Sequence, residues 1–208
     1  MRRRRRSIAF YGGIHMRIIG GEWRSRRLVQ PPLPQTRPVP DRLRESVFDM
    51  LGSYFDMPGG LPTAAVADVF AGSGSMGLEA LSRGAGSCCF FERDREALRA
   101  LRENVRALNA EAAATVITRD AWSCAPSAPD GSSFDLVFLD PPYADSDDDS
   151  AGGPVRRYLD RLCARAGTMP LVVLHHRARA GFTSVQPDPW KIVKQRVFGS
   201  HTVSWFAI

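Results

Sequence analysis

The chain has 208 residues, of which 44% are hydrophobic and 24% charged, the ordinary balance of a soluble globular protein with one main domain. No apolar run approaches the roughly 20 residues of a membrane-spanning helix, and the apolar patch near the N-terminus is too short for a secretory signal. These features argue against a membrane partner and predict a cytoplasmic location.

The net charge of +6 is unevenly distributed. Residues 1–44 contain twelve arginines and two acidic residues, a net +10, so the other 164 residues carry −4 (+6 less +10). A cationic end on a mildly acidic body favours a polyanionic partner. Residues 1–15, with the run Arg2–Arg6, are expected to be a disordered basic tail that activity does not need, because Met16 looks like a natural start.

The four cysteines are Cys88, Cys89, Cys124 and Cys163. They form no C-x-x-C pair and have no histidine at zinc-ligand spacing. Cys88 and Cys89 belong to an apolar run, where cysteine behaves as a small core residue. The pattern predicts reduced thiols, no disulfide framework and no metal.

Two segments are predicted from the N-terminal part of the chain. Residues 16–40 are expected to form an appendage, a small β-hairpin around Gly20-Gly21 followed by a proline-rich connector. The main domain is expected to span 41–208. It begins with an amphipathic helix over 41–55, in which Asp41 is predicted to be the N-cap.

From residue 64 the pattern alternates between strands and helices. Predicted strands cover 64–71, 87–92, 114–118, 134–140 and 169–176, predicted helices cover 75–85, 94–109 and 154–167, and residues 190–208 are predicted to form a terminal hairpin that turns at Gly199-Ser200. Continuous apolar strands separated by helices predict a mostly parallel α/β sheet, here seven-stranded, with helices on both faces. The hairpin adds an antiparallel strand.

A glycine-rich loop, Gly72-x-Gly74-x-x-Gly77, follows the first strand of this domain and opens a helix. Such a loop lets a ligand approach the backbone and aims helix N–H groups at it. Alone, it is a weak signal that equally suits a nicotinamide dinucleotide.

Acidic residues occur at the ends of the first three predicted strands: Asp68 lies inside the end of the first, Glu92 ends the second and Asp120 follows the third. The carboxyl ends of parallel strands meet at the crevice where open α/β sheets bind ligands. Each acid alone is more simply explained as a helix cap. Together, the three match an amino acid, a ribose and an adenine in a row, which describes S-adenosylmethionine better than a dinucleotide.

Residues 139–143 read LDPPY and end the fourth predicted strand. A double proline can simply terminate a strand, because proline lacks the N–H donor that a ladder needs. In the alternative, Asp140 and the Pro141 carbonyl accept the N–H groups of an exocyclic amine and aim its lone pair at a methyl donor. Pro142 stiffens the backbone, and Tyr143 stacks on an extruded base, worth about 1–3 kcal/mol. We favour this second interpretation.

Several motifs accompany LDPPY: RIIGGEWRSRRL, LRESVFDML, DVFAGSGSMGLEALSRGA, FERD, RDAW and FGSHTVSWF. Together they resemble the bacterial 16S rRNA guanine-N2 methyltransferase family called RsmD, over nearly the whole chain from Met16. The resemblance implies a class I, Rossmann-like methyltransferase fold. It also implies methyl transfer from S-adenosylmethionine, without a metal, to a guanine N2 of 16S rRNA, in the small ribosomal subunit or its assembly intermediate.

Residue roles follow from the same resemblance. The expected cofactor-binding residues are Asp68, Phe70, Gly72, Gly74, Glu92, Arg93, Asp120 and Ala121. The expected catalytic residues are Asp140, Pro141, Pro142 and Tyr143. The expected RNA-binding residues are Arg17, Arg24, Arg26, Arg27 and Arg37, of which Arg37, like its neighbour Thr36, equally suits the amino-acid end of the cofactor.

Three alternatives stay open: an adenine-N6 methyltransferase of DNA or RNA, a catalytically silent RNA-binding assembly factor, and a nicotinamide-dependent oxidoreductase. The acidic segment 145–149, which departs from the family pattern, is expected to be mobile and turned away from RNA. His175-His176 could reach the rim of the site, but such a strand-end pair is more often structural. We expect a monomer.

Overall fold

The computed structural model describes residues 16–32, 40–123, 127–148, 150, 152–164, 169–177 and 189–208. The expected tail over 1–15 lies outside these residues, as do Thr36 and Arg37. No helix within the described ranges is long and apolar enough to cross a membrane.

Helices and strands alternate as the sequence predicts. The helices are α1 (Asp41–Tyr54), α2 (Ser75–Ser82), α3 (Arg95–Ala107), α4 (Tyr143–Ser146) and α5 (Pro154–Cys163). The strands are β1 (Ala65–Val69), β2 (Ser87–Glu92), β3 (Ala114–Thr118), β4 (Leu136–Leu139), β5 (Leu171–Arg177), β6 (Lys191–Phe198) and β7 (His201–Ala207). The single turn of α4, directly after the double proline, is the one helix that was not predicted.

These seven strands form one sheet in the order β3-β2-β1-β4-β5-β7-β6. Strands β1 to β5 are parallel, and β7 pairs antiparallel with both β5 and β6. The predicted Rossmann-like fold with a closing hairpin is therefore confirmed. The chain runs outward from β1 to β3 and then returns to β4 on the other side of β1. The carboxyl ends of β1 and β4 thus flank the switch point at which such sheets bind ligands.

Successive residues of the central strands point into two apolar layers. One layer, which contains Val66 and Phe138, includes apolar residues of α1, α2 and α3. The other, which contains Ala67 and Val137, includes those of α5. The predicted core residues Cys88 and Cys89 are buried in these layers, as are Trp190 and Trp205.

Residues 16–32 form an N-terminal arm that packs against this domain. The predicted hairpin is present with a single antiparallel bridge, between Arg17 and Arg27, beside an N–H···O bond of 2.9 Å from Ile18 to Arg26. Three apolar residues of the arm are buried in the layer that contains α1 and α2: Met16, Ile18 and Leu28. The arm therefore shares a hydrophobic core with the main domain.

The turn of the arm lies directly on the end of α2. Gly21 has a φ of +73°, and a Cβ at this position would lie 1.8 Å from the carbonyl oxygen of Ser82. The N–H of Glu22 donates to that carbonyl (2.7 Å), and the N–H of Trp23 donates to the Ser82 hydroxyl (2.9 Å). Only glycine combines this conformation with such close approach.

A buried carboxylate on α2, that of Glu79, ties the arm to the domain. Its two oxygens accept the N–H groups of Ile19 and Gly20, each at 2.7 Å. It also pairs with Arg83 (2.8 Å) and lies 3.9 Å from Nε of Arg44, and the side chains of Glu79 and Arg44 are completely buried. One charged centre therefore joins the arm, α1 and α2.

The prediction that Asp41 caps α1 is wrong. The helix begins at Asp41 itself, after Pro40, and the residue before the helix makes no side-chain cap hydrogen bond. The carboxylate of Asp41 instead pairs with Arg44 (2.9 Å) and lies 3.6 Å from Arg17. An acid in the first turn still interacts favourably with the helix dipole.

Replacing Glu79 with Gln should destabilise the protein strongly. The change removes the carboxylate that pairs with buried Arg83 at 2.8 Å and leaves buried Arg44 with Asp41 alone, and breaking a buried pair in this way costs about 3–5 kcal/mol. Urea unfolding would measure the loss, with Glu96→Gln as the matched control, because Glu96 pairs with Arg99 on the exposed face of α3 and such pairs contribute about 0–1 kcal/mol. Equal urea midpoints for the two variants would contradict the role of Glu79.

Candidate active site

The LDPPY segment ends β4 at the centre of the sheet, next to the loop that follows β1. The two strands pair with Val69 opposite Leu139, and the N–H of Asp140 donates to the carbonyl of Val69 at 3.3 Å. Pro142 precedes α4, which begins at Tyr143. The prolines do end the strand, and they end it where Asp140 and Tyr143 meet the switch point.

The glycine loop joins β1 to α2, as predicted, and its glycines serve different purposes. Gly72 has a φ of +56°, and a Cβ there would meet nothing within 4 Å. At Gly77 a Cβ would lie 2.4 Å from the ring of Phe90 and 2.5 Å from the sulfur of Cys88. The loop is therefore open at its first glycine, where a ligand can approach the backbone, and closely packed on β2 at its last.

Asp68 lies inside the crevice, where it is 2% exposed. Its Oδ2 accepts the N–H of Gly77 at 2.8 Å. The pKa of Asp68 is raised to about 8, chiefly by burial, against the opposing effect of the Gly77 hydrogen bond and with a contribution from the negative charges of Asp140 and Glu92. Three acids that act on one another in this way favour a cationic ligand.

Glu92 and Asp120 form the rim of the crevice at the ends of β2 and β3. Glu92 accepts the N–H of Gly72 on one oxygen (2.8 Å) and those of Arg93 and Asp94 on the other (2.7 and 2.8 Å). The guanidinium of Arg93 donates to Asp120 at 2.9 Å. The structure thus brings together the acids that the sequence places after these strands.

Aromatic side chains line the crevice beyond this rim. Phe70 adopts a φ of +64°, a strained conformation for a residue with a side chain, and its ring centroid lies 4.8 Å from that of Trp122. Ala121, the last residue of the expected cofactor set, is buried beside them. These residues form an apolar wall next to Asp120.

Two residues of the acidic segment contact distant parts of the fold, so the expectation that the segment turns away is wrong at Asp145 and Asp147, while its expected mobility stays a prediction. The indole N–H of Trp122 donates to Asp145 at 3.0 Å, and Asp147 lies 3.5 Å from the guanidinium of Arg177. Asp149 lies outside the described residues. Sequence reasoning missed these contacts because partners more than 20 positions away have no local signal.

Two histidines extend the LDPPY site, and sequence reasoning gave one of them too little weight and missed the other. Nδ1 of His175 lies 2.7 Å from Oδ1 of Asp140, and its Nε2 lies 3.0 Å from Nδ1 of His201. The Tyr143 hydroxyl lies 3.0 Å from the same nitrogen of His201. Burial opposes the imidazolium form, but the charge and the hydrogen bond of Asp140 outweigh it and raise the pKa of His175.

A small apolar recess adjoins Asp140 and His175. Its other lining residues come from α1, the start of α2 and the central strands: Leu43, Val47, Met76, Phe138, Leu139, Val173 and Val203. The first helix of the main domain therefore forms part of the site, beside the position expected for the target base.

The described arginines of the arm are all exposed, but they differ in their contacts. The guanidinium of Arg26 donates to the carbonyl of Ala107 at the end of α3, and that of Arg17 lies near Asp41. Arg24 and Arg27 form no ion pair within the described part of the chain. Arg26 is therefore partly structural, whereas Arg24 and Arg27 are better placed to meet an external polyanion.

Asn104 joins the arm to the glycine loop, a role that the sequence did not reveal. It is buried on α3, its amide donates to the carbonyls of Val29 and Ser73 (2.9 Å each), and its oxygen accepts the N–H of Val29 (2.7 Å). This side chain fixes the arm beside the crevice.

A family model described as "Conserved hypothetical protein 95" matches residues 16–207. The chain is 30% identical to the Ribosomal RNA small subunit methyltransferase D of Haemophilus influenzae over 88% of this chain and 89% of that protein. It is 40% identical to the Escherichia coli protein of the same name over 64% of this chain and 62% of that protein, less than two thirds of its length. The chain belongs to the RsmD family.

Solved structures agree with this assignment. YhhF from Escherichia coli matches this RsmD-family chain with a TM-score of 0.71 at 30% identity, over 92% of this chain and 97% of that one. A Pyrococcus abyssi tRNA (uracil-54, C5)-methyltransferase, solved with S-adenosyl-L-homocysteine, matches with a TM-score of 0.56 at 18% identity, over 80% of this chain and 37% of that one. The second likeness shows a common fold alone.

No group of three or more histidine, cysteine, aspartate or glutamate side chains is placed to hold a metal ion in the part of this RsmD-family chain that the structure describes.

Proposed function

We propose that this chain transfers a methyl group from S-adenosylmethionine to the exocyclic N2 of a guanine in 16S rRNA. The observation that carries the proposal is the position of Asp140 and Tyr143 at the switch point, beside the glycine loop, in a member of the RsmD family. The names of the relatives support an rRNA of the small subunit as substrate. We further propose that the enzyme acts as a cytoplasmic monomer on the small subunit or its assembly intermediate.

The crevice suits the cofactor in its charge and in its shape. The open backbone at Gly72 leaves room for a ligand, and Asp68 offers a buried carboxyl to a cationic amino group or sulfonium. A carboxylate has about four lone-pair sites that can accept hydrogen bonds, and three of those on Glu92 are already used by backbone N–H groups. We therefore expect Glu92 to be rigidly oriented and to accept about one hydroxyl of the ribose, with Asp120 and Ala121 beside the adenine.

The bound cofactor supplies an electrophilic methyl group, and the residues of the turn orient the amine that attacks it. The side chain of Asp140 is 35% exposed and can accept one N–H of the amine, while the carbonyl of Pro141 accepts the other. Two acceptors on one side direct the lone pair of the nitrogen toward the methyl carbon. This orientation of the reacting atoms lowers the barrier to transfer. No strong base is required, because the nitrogen becomes acidic only once it is methylated.

The target base also has a defined place in this proposal. The guanidinium of Arg177 lies 4.6 Å from the centroid of the Tyr143 ring. A base that stacks on Tyr143 therefore uses the opposite face of the ring or displaces Arg177. The apolar recess beside Asp140 lies next to either position.

Labelled methyl transfer tests the function directly. S-adenosylmethionine with a tritiated methyl group would be incubated with small subunits, purified 16S rRNA and duplex DNA, followed by digestion to nucleosides. We expect label in N2-methylguanosine from the ribosomal substrates alone. Label in N6-methyladenine would change the substrate, and cofactor binding without any transfer would indicate a silent assembly factor.

In the same assay, Asp140→Ala should lower turnover by about 100-fold or more, the cost of removing one group that stabilises the transition state. Cofactor affinity, measured by calorimetry, should be nearly unchanged. Asp130→Ala, in an exposed loop, serves as the matched control and should retain full turnover. A large loss of cofactor affinity in Asp140→Ala would contradict the role of Asp140 on the target amine.

Cofactor affinity should increase with pH between about 6 and 7.5. Asp68 is mostly protonated there, because its pKa is about 8, and a cationic ligand beside it lowers that pKa and releases the proton. Because one proton is released on binding, the affinity can rise by at most about tenfold per pH unit. Calorimetry in buffers of different ionisation enthalpy would detect the proton, and Asp68→Asn should bind without this pH dependence. An identical pH dependence in both proteins would rule out Asp68 as the titrating group.

Replacing both Arg24 and Arg27 with alanine should weaken RNA binding and flatten its salt dependence. Each lost phosphate contact reduces the slope of log affinity against log salt by about 0.7–0.9. Filter binding of 16S rRNA at several salt concentrations would measure the slope. Arg99→Ala, on the exposed face of α3, is the control, and an equal slope in all three proteins would refute the RNA-binding role of the arm.

A further inference from the structure

Two histidines from different strands connect the ends of the catalytic turn. Asp140, His175, His201 and Tyr143 form an unbroken series of polar contacts of 2.7, 3.0 and 3.0 Å. The imidazole planes of His175 and His201 are inclined by only 23°, with centroids 5.1 Å apart, so the two rings can meet edge to edge through their nitrogens. Asp140 and Tyr143 are thereby linked outside the backbone that joins them.

The sheet itself holds the two imidazoles in place. In the antiparallel pairing of β5 with β7, Arg177 lies opposite His201 and His175 lies opposite Val203. The neighbouring His176 makes separate contacts, to the carbonyl of Arg177 and to the Ser204 hydroxyl, both at 2.8 Å. Because successive residues of a strand point to opposite faces, His175 points toward the LDPPY turn and His176 points away from it, into the core.

We propose that His175 and His201 are positioning residues, a two-histidine brace that orients the Asp140 carboxylate and the Tyr143 ring, and that methyl transfer requires a single proton between the two imidazoles. This inference rests on the proposed function, because the turn must act on an amine for its orientation to affect turnover.

Counting protons shows why one is required. A carboxylate only accepts hydrogen bonds, so Nδ1 of His175 carries a proton for Asp140. Between Nε2 of His175 and Nδ1 of His201, one proton makes a hydrogen bond, whichever ring supplies it. A second proton there would set two N–H groups against each other at 3.0 Å and break the brace. Protonation of both rings is therefore the state that disables it.

Several charged groups act on these histidines. Asp140 and Tyr143 face them from the turn, His176 and Arg177 come from β5, and Asp147 lies beside Arg177. Asp68 lies beyond Asp140 on β1, and Arg196 follows on β6, near Phe198, which pairs with His201. The acids favour the first proton on the pair, whereas the nearby guanidinium and the first imidazolium oppose a second.

The brace would act on the geometry of the methyl-transfer step. In that step the amine nitrogen forms a bond to the methyl carbon, the carbon–sulfur bond breaks with its electron pair going to sulfur, and the methylated nitrogen gives a proton to solvent. With Oδ1 of Asp140 held by His175, the other oxygen is directed at the amine. Without the brace the carboxylate can rotate, and a misplacement of about 1 Å can cost about 100-fold in rate.

Two substitutions at His201 separate hydrogen bonding from ring packing. His201→Asn retains an acceptor where Nδ1 lies but cannot titrate, whereas His201→Phe retains a ring without the acceptor. His176→Gln, which can still reach Ser204, is the control at a neighbouring histidine. The measurements are kcat and KM for methyl transfer to small subunits between pH 5 and 9, together with the affinity for S-adenosylmethionine.

We expect the wild-type kcat to fall toward acid, near or below about pH 6.5, the ordinary histidine range. His201→Phe should lower kcat at pH 8 by about 10- to 100-fold with unchanged cofactor affinity. His201→Asn should have a kcat close to that of the wild type at pH 8 but should not show the fall in kcat toward acid. His176→Gln should show the same fall as the wild type. An unchanged kcat and pH profile in His201→Phe would overturn the brace, and so would equal inactivity of the Asn and Phe variants in folded protein.

A second readout does not depend on turnover. The imidazole nitrogens of His175, followed by NMR during a pH titration, should show a lower pKa in His201→Phe than in the wild type, because Nε2–H of the imidazolium loses its acceptor. If the wild type transfers no label to any RNA, the proposed function fails and this titration still decides the brace. An unchanged pKa of His175 in His201→Phe would show that the two histidines are not hydrogen-bonded in solution. That result would overturn the inference.

Discussion

The pairing of β1 with β4 is the interaction on which the rest of the site depends. Because these two parallel strands lie side by side and their connections leave toward opposite edges of the sheet, the residues that follow them share one crevice. The glycine loop and the LDPPY turn therefore meet without a second domain. The same pairing brings the carboxyl groups of Asp68 and Asp140 close enough for each charge to affect the other.

This crowding of acids explains the electrostatic character of the crevice. The carboxyl of Asp68, with a pKa of about 8, stays protonated near neutral pH because burial disfavours its charged form and because ionising it would add a charge near two others. A cationic ligand removes that penalty, whereas an anionic pyrophosphate would increase it. The physical argument thus favours a sulfonium cofactor over a dinucleotide on the same glycine loop, independently of the family to which the chain belongs.

The sequence predicted the elements well and their long-range contacts poorly. Apolar periodicity identified every strand of the sheet, and the glycine loop and the strand-end acids followed from local patterns. The clamp of Glu79 on Ile19 and Gly20 was not foreseeable, because an acid in an amphipathic helix looks solvent-facing and its partners lie about 60 positions earlier. His201 was missed for the same reason, since nothing local distinguishes it from any residue after a hairpin turn.

The contacts of Asp145 and Asp147 lessen an apparent conflict between the acidic segment and an RNA substrate. A mobile run of aspartates beside the target would repel phosphates, but Asp145 is bonded to Trp122 and Asp147 is near Arg177. Arg177 in turn covers one face of Tyr143. Asp145 and Asp147 therefore have partners within the fold, where the first binds the indole of Trp122 and the second lies near the guanidinium that covers Tyr143.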